Sequence, residues 1–370
     1  MTAQEGPVEV PIAGIDAELS RQLKAAQDGG QSPVHRARMS NLIIHCDSEE
    51  RAVEVEKSLP RIVAVHPARV LLLIADPADR APEVRASVVV RKAGQSAQLN
   101  SEQITLRGGS CASEQLPFAV RSLMIGDLPT NLWWANNTPP ALAGPILGDL
   151  AEDAQQLIYD SLGWLDPNRG VAATYDWLGR FDRPGKDGRW RVASDLNWRR
   201  LKTWRRLFSE AFGPPDGPDA LNSITEINME HGPHAVTQAW SLAGWLASRL
   251  GWEIRSAKIR PNVEIALDVR ASQGLIRLRF DRAAEGPAEL RRVRVSCTLA
   301  GKKEVVAFFS EEGTRLAVHP ENDEGSPRTI TVQGTDVADM LARQLSDREP
   351  DPAFRDAMAN AQHLARTLPR

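Results

Sequence analysis

The sequence is poor in the features that announce several common classes of protein. It holds three cysteines, Cys46, Cys111 and Cys297, an odd number set far apart. That spacing excludes a disulfide framework and a paired-cysteine zinc site, and it fits a reducing compartment. Long apolar runs are missing: the longest, Val70 to Ala75, has six residues, where a membrane helix needs roughly 18. The start of the chain is acidic up to Asp16 and has no basic stretch leading into an apolar one, so no secretory signal is read there. Internal repeats and low-complexity tracts are absent.

Recognisable catalytic chemistry is scarce as well. There is no GxxxxGK[ST] phosphate loop, no GxGxxG after a strand and no GxSxG nucleophile elbow. Gly108-Gly109 is the nearest approach to a phosphate loop and reads as a turn. His231 and His234 form an HxxH, but Gly232 and Pro233 between them keep both off one helical turn. That pair reads as the loop before a helix rather than a metal site. The sequence therefore supplies no candidate catalytic, cofactor-binding or metal-ligating residue, and no cofactor is expected.

What is present is an ordinary globular balance: 370 residues, 42% hydrophobic, 25% charged, net charge −3. At roughly 150 residues per domain this length suggests two domains. Two biases stand out. Ten of the 20 aromatic residues are Trp, and 37 of the 45 basic residues are Arg. Both types are enriched at protein–protein hot spots, although Trp also fills cores.

Along the chain, residues 1–35 read as an N-terminal extension with one short amphipathic helix carrying Ile15, Leu19 and Leu23. The run Asp28 to Pro33 reads as a linker after it. Residues 36–165 read as an α/β domain. Its expected strands are Asn41–Cys46, Arg69–Ala75, Ala86–Lys92, Gln103–Arg107, Asn131–Trp134 and Leu157–Asp160, with helices starting near Ser48 and Ala112. Residues 166–370 read as an α+β domain in which helices Asp195–Phe212 and Ala235–Leu250 pack on a largely antiparallel sheet. Its strands are Val263–Val269, Leu275–Phe280, Leu290–Thr298, Glu304–Phe309 and Arg315–Val318, and two closing helices follow. The overall class is α/β (α+β) in two domains.

Four segments concentrate the unusual residues. His66-Pro67-Ala68-Arg69 joins a helix to the most apolar strand, placing a cation where it needs an acidic partner or solvent. Asp127 to Trp134 ends in Trp133 and Trp134, whose side chains face opposite ways in a strand. Asp195 to Phe212 reads as a helix with Leu201, Trp204 and Phe208 on an inward stripe and Arg199, Lys202 and Arg206 on another face. Asp195 or Asn197 can cap its start, and Arg200 and Arg205 lie beside the stripe. From Arg180 to Arg206 there are ten basic residues against three acidic ones. The fourth segment, Leu242 to Trp252, reads as a core helix stopped by Gly251.

In this order, HPARV, DLPTNLWW, YDS at 159–161, DLNWRRLKTWRRLF and GWLASRLGW resemble the glucose-6-phosphate dehydrogenase assembly protein family, OpcA, over roughly residues 35–300. Where the family usually has Ser within HPxR, this chain has Ala68. The resemblance implies a cytoplasmic protein that is not an enzyme. Such a protein would bind glucose-6-phosphate dehydrogenase, itself NADP-dependent, and favour its active oligomer in the oxidative pentose phosphate pathway. The expected partner-binding residues are His66, Arg69, Trp133, Trp134, Asp195, Asn197, Trp198, Arg199, Arg200, Trp204, Arg205 and Arg206. The cysteines show no vicinal or CxxC pair, so the thioredoxin control associated with some relatives is not carried over. No membrane is expected as a partner. A rival reading has residues 180–206 bind nucleic acid through arginines and interleaved Trp190, Trp198 and Trp204; the overall charge of −3 weighs against it.

Overall fold

The computed structural model describes residues 6–28, 35–36, 38–92, 99–185, 188, 190–214, 217–260, 264–299, 301–311, 313–321, 325–332 and 336–368. Most of the linker expected at Asp28–Pro33 lies outside these residues. Two sheets organise the described chain. The first contains β1 (Val8–Val10), β2 (His35–Arg36), β3 (Ser40–Cys46), β4 (Ala68–Ile74), β5 (Arg85–Lys92), β6 (Leu99–Arg107), β7 (Thr130–Trp134), β8 (Gln156–Tyr159) and β9 (Val192–Asp195). Interspersed are the helices α1 (Ile15–Asp28), α2 (Glu49–Val65), α3 (Leu116–Leu123), α4 (Pro145–Ala151) and α5 (Pro167–Phe181).

Six strands run parallel in the order β6-β4-β3-β7-β8-β9. Numbered among themselves, they give 3-2-1-4-5-6, the doubly wound dinucleotide-binding topology. Every residue of β3, β4, β7 and β8 is buried, as a parallel sheet covered on both faces requires. Between β3 and β4, Ser48 caps α2 by accepting from the Arg51 amide at 3.2 Å. Residues Ala52, Val55, Leu59 and Ile62 then recur on its inner face. The HPxR segment does end α2: His66 leaves the helical region, and β4 starts at Ala68.

The second sheet holds β10 (Glu226–His231), β11 (Glu253–Arg260), β12 (Glu264–Ala271), β13 (Gly274–Arg282), β14 (Leu290–Leu299), β15 (Lys302–Glu311), β16 (Arg315–Pro320) and β17 (Arg328–Thr331). Its order is β11-β12-β13-β10-β14-β15-β16-β17, antiparallel throughout except for the parallel pair β10–β13. One face buries Ile227, Leu278, Phe280, Val293 and Val295; Arg277, Arg292 and Arg294 stand exposed on the other. Around it lie α6 (Leu196–Ala211), α7 (Gly217–Asn222), α8 (Val236–Leu250), α9 (Val337–Ser346) and α10 (Pro352–Thr367). Gly251 ends α8 in the left-handed region, φ 64°. Gly244 lets α8 lie against α10, since a Cβ there would come within 2.2 Å of the Ala357 carbonyl oxygen.

Long-range packing links the expected segments more closely than their order suggests. The first sheet runs past residue 165, because β9 pairs parallel with β8. Helix α9 crosses back onto it: Met340, Leu341 and Leu345 share a core with Leu42, Ile44, Leu59 and Ile62. The N-terminal segment is also built in. Strand β1 pairs with β5, and Ile15 and Leu19 are fully buried. Helix α5 and strands β9, β10 and β11 go beyond the sequence-based expectation. In α5 the stripe Val171, Thr174, Leu178 and Phe181 is interrupted by polar and glycine neighbours, which hides its period.

Candidate functional site

The residues expected to face a partner fall in three places, the start of β4, the end of β7 and helix α6, and most of them are buried or half-buried. Asp195 caps α6, its Oδ1 accepting from the Asn197 amide at 2.9 Å and from the Ser161 amide at 3.0 Å. The Asn197 side-chain amide donates to Ser161 Oγ at 3.0 Å and Thr237 Oγ1 at 3.2 Å, tying α6 to the loop after β8 and to α8. Arg200 forms a two-pronged pair with Asp160, both contacts 2.7 Å. Arg199 donates to Gln344 at 2.8 Å and to Asp347 at 2.9 Å, reaching the end of α9. Trp198 donates its indole N–H to Asp351 at 2.7 Å, and the Arg205 guanidinium lies 3.4 Å from the centre of the Trp198 ring. Trp204 is buried.

Helix α6 is therefore a keystone between the two sheets. Its electrostatics match that position. Burial, followed by the charge of Asp160, pushes the Asp195 carboxyl up to about 7. Burial also draws the Arg205 guanidinium down to about 10. Trp133 and Trp134 lie in the core on opposite sides of β7. His66 meets Ser40 Oγ at 3.1 Å, and Arg69 is clamped by Glu102 at 3.1 Å, Asp16 at 3.0 Å and the Leu123 carbonyl at 2.8 Å. Of the expected partner-binding residues, Arg206 alone is largely exposed, and it pairs with Glu210 at 2.7 Å. In this conformation most of these side chains are buried or half-buried and engaged with their own chain. Within residues 180–206, Arg199, Arg200 and Arg206 are paired within the chain and Trp198 and Trp204 are buried, whereas Trp190 is 52% exposed.

A crevice lies at the carboxyl ends of β3, β4 and β7, and Trp134, one of the residues expected to face a partner, lines it. The strand order reverses between β3 and β7, which is where ligands bind in open sheets of this topology. Its volume is about 510 Å³. His45 and Trp134, at the ends of β3 and β7, stack with ring centres 4.3 Å apart. Asn136 meets His45 Nδ1 at 2.9 Å. Phe118 of α3 stands at the rim, 71% exposed. Asp47, Glu114 and Asp149 contribute carboxylates, and among the described residues no Lys or Arg lines the crevice. Burial holds the His45 imidazole down to about 4, so it is neutral near pH 7.

Two matches with known families bear on this geometry. Residues 60–175 match the model of the glucose-6-phosphate dehydrogenase subunit N-terminal domain, and residues 191–358 match that of its C-terminal domain. The chain belongs to the glucose-6-phosphate dehydrogenase assembly family, OpcA. Among curated OpcA relatives, the OxPP cycle protein OpcA of Synechocystis is 31% identical over 205 residues, 55% of this chain and 41% of that protein. That of Nostoc punctiforme is 32% identical over 171 residues, 46% of this chain and 34% of that protein. The aligned region thus spans less than half the length of these OpcA proteins. In fold, the chain resembles an oxidoreductase from Sinorhizobium meliloti (TM-score 0.52, 11% identity, 90% of this chain and 96% of that one). It also resembles the transcriptional regulator Gal80p from Kluyveromyces lactis (TM-score 0.52, 10% identity, 94% and 95%). These two likenesses concern the fold, which does not fix activity.

The topology invites a dinucleotide, and the residues at the switch point do not fit one. The turn from β3 into α2 reads Cys46-Asp47-Ser48-Glu49-Glu50, without a glycine for close approach of a pyrophosphate. The helix N-terminus that would attract phosphate is occupied by the Ser48 cap and carries Glu49 and Glu50 in its first turn. Phosphate placed there would meet carboxylates. Cys46 and Cys297 are buried and Cys111 is exposed; burial pushes the Cys46 thiol up to about 12, far from the thiolate state.

Proposed function

We propose that this OpcA-family chain is a non-catalytic adaptor. It binds glucose-6-phosphate dehydrogenase, favours the active oligomer or conformation of that enzyme, and raises its activity in the oxidative pentose phosphate pathway. The observation that carries the reading is the ordered match of both halves of the chain to the two subunit-domain models. A second support is the switch-point turn, where three carboxylates stand in place of a phosphate-binding loop. The division into an N-terminal α/β unit and a C-terminal α+β unit belongs to the same reading, as does a cytoplasmic location. Among the described residues no helix is long and apolar enough to cross a membrane.

Activation of this kind requires tighter binding to the active state of the enzyme than to the inactive one, since equal affinity shifts nothing. The test mixes the purified chain with glucose-6-phosphate dehydrogenase from the same organism and follows turnover against glucose 6-phosphate concentration. The expected result is a lowered half-saturation point or a raised turnover, with no dehydrogenase activity from the chain alone. Unchanged kinetics at saturating adaptor, or turnover by the chain itself, would overturn the proposal.

A further inference from the structure

Three features of the crevice between β3 and β7 point to a ligand, and together they define its chemistry. The first is unfilled hydrogen-bonding capacity on buried groups. His45 and Asn136 are 3% and 5% exposed, and both line the crevice. Nε2 of His45 and Oδ1 of Asn136 have no partner. Asn136 Nδ2 donates to His45 Nδ1 at 2.9 Å, which leaves the proton of the neutral ring on Nε2. The pair then offers one donor, the Nε2–H, and one acceptor, the Asn136 oxygen. Reversing the amide and the tautomer exchanges the two roles and still leaves one donor and one acceptor. An amide group, with its adjacent C=O and N–H, satisfies both at once. Leaving them empty costs free energy that such a ligand would recover.

The second feature is charge. Asp47, Glu114 and Asp149 line the crevice, and among the described residues none of the three is in an ion pair. Arg121, which approaches Asp149, donates to its main-chain carbonyl and pairs with Glu152 and Asp153 instead. An unbalanced acidic lining repels phosphates and attracts a cation. The third is apolar surface. Phe118 is 71% exposed beside Pro117 and Ile146, an arrangement that water alone does not favour.

We infer that the crevice is a docking cleft for a basic polypeptide segment of the partner enzyme. A Lys or Arg side chain of that segment meets Glu114 and Asp149, a main-chain or side-chain amide meets His45 and Asn136, and an apolar neighbour covers Phe118. The volume of about 510 Å³ lies within the range of about 300–1,000 Å³ usual for small-molecule pockets, room for the side chains at the tip of such a segment. This inference rests on the adaptor reading and deepens it, turning the site where the fold would hold a dinucleotide into a site for a peptide.

The test measures binding of the full chain to glucose-6-phosphate dehydrogenase from the same organism by titration calorimetry, at about 50 and 300 mM salt. The double variant Glu114→Lys/Asp149→Lys changes two exposed side chains, and its thermal unfolding is recorded beside the wild type. The expected result is an affinity at least about tenfold lower with an unchanged unfolding midpoint, and a larger loss at low salt than at high salt. If the reversal variant fails to fold, Glu114→Gln/Asp149→Asn replaces it, with a smaller loss in the same direction. Wild-type binding that neither variant weakens would overturn the cleft and leave the adaptor reading standing. No binding by the wild type would overturn the adaptor reading, and the cleft with it.

Discussion

Helix α6 and the crevice between β3 and β7 both bring charged, aromatic and amide side chains together, and they treat them in opposite ways. Around α6 the charged groups meet counterparts in the chain, Arg200 with Asp160 and Arg199 with Asp347, and Trp198 and the Asn197 amide donate to Asp351, Ser161 and Thr237, while Asn197 Oδ1 is left without a partner. In the crevice, His45 and Asn136 retain unmatched atoms, and among the described residues Asp47, Glu114 and Asp149 form no ion pair. The chemistry of the residues is similar in the two places. The difference lies in whether the charges are paired internally, and that separates a joint holding two sheets together from a surface that can attract a charged group from outside the chain.

The largest test of this contrast is Trp204→Ala. Trp204 is buried beneath the joint, so its loss should cost about 3–5 kcal/mol in chemical denaturation. A cost below about 1 kcal/mol would mean that α6 is not the keystone. A smaller effect, readable through pH, comes from Asp195. Its folded value, about 7, lies above the unfolded value of about 3.9. Stability from the protonated carboxyl is fully present below about pH 4 and is lost as pH rises through about 7. The groups facing it are Asp160, Arg200, Ser161 and Asn197. Asp195→Asn keeps a capping oxygen and removes the ionisation. The unfolding midpoint of the variant should therefore gain on that of the wild type as pH rises from 4 to 8; a constant difference would show that no charge is trapped at the joint. Smallest of all is Arg206→Ser. Its exposed pair with Glu210 sits outside the joint, so the unfolding midpoint should stay unchanged. A clear fall would extend the keystone to the outer face of α6.

Much of the scaffold is legible along the chain. The apolar stretches Leu42–Ile44 and Val70–Ile74 lie in two inner parallel strands, because a strand covered on both faces carries apolar side chains on both. Alternation in Leu275–Phe280 marks a strand with one wet face, and Gly251 marks the end of α8. Elements with short or interrupted patterns, such as β9 and α5, take their conformation from neighbours distant in sequence. The candidate site was least legible. Trp and Arg are conspicuous in composition, and they drew attention to α6, where the same bulk and charge that suit a hot spot also suit a buried joint. His45, Asn136, Glu114 and Asp149 are commonplace residues scattered over about a hundred positions, and nothing in their local context sets them apart.

The sequence by itself determined the α/β and α+β character, the principal strands, the helix start at Ser48, Asp195 or Asn197 as the cap of α6, and the absence of a glycine-rich phosphate loop. These follow from local sterics, hydrogen bonding and hydrophobic period, which act over a few residues. The tertiary structure decided the strand order, the return of α9 to the first sheet, the inward turn of the arginines and tryptophans of α6, and the meeting of His45, Asn136 and three carboxylates at one crevice. Those outcomes depend on which distant surfaces exclude water from one another. That is a property of the whole packed chain, and no single segment carries it.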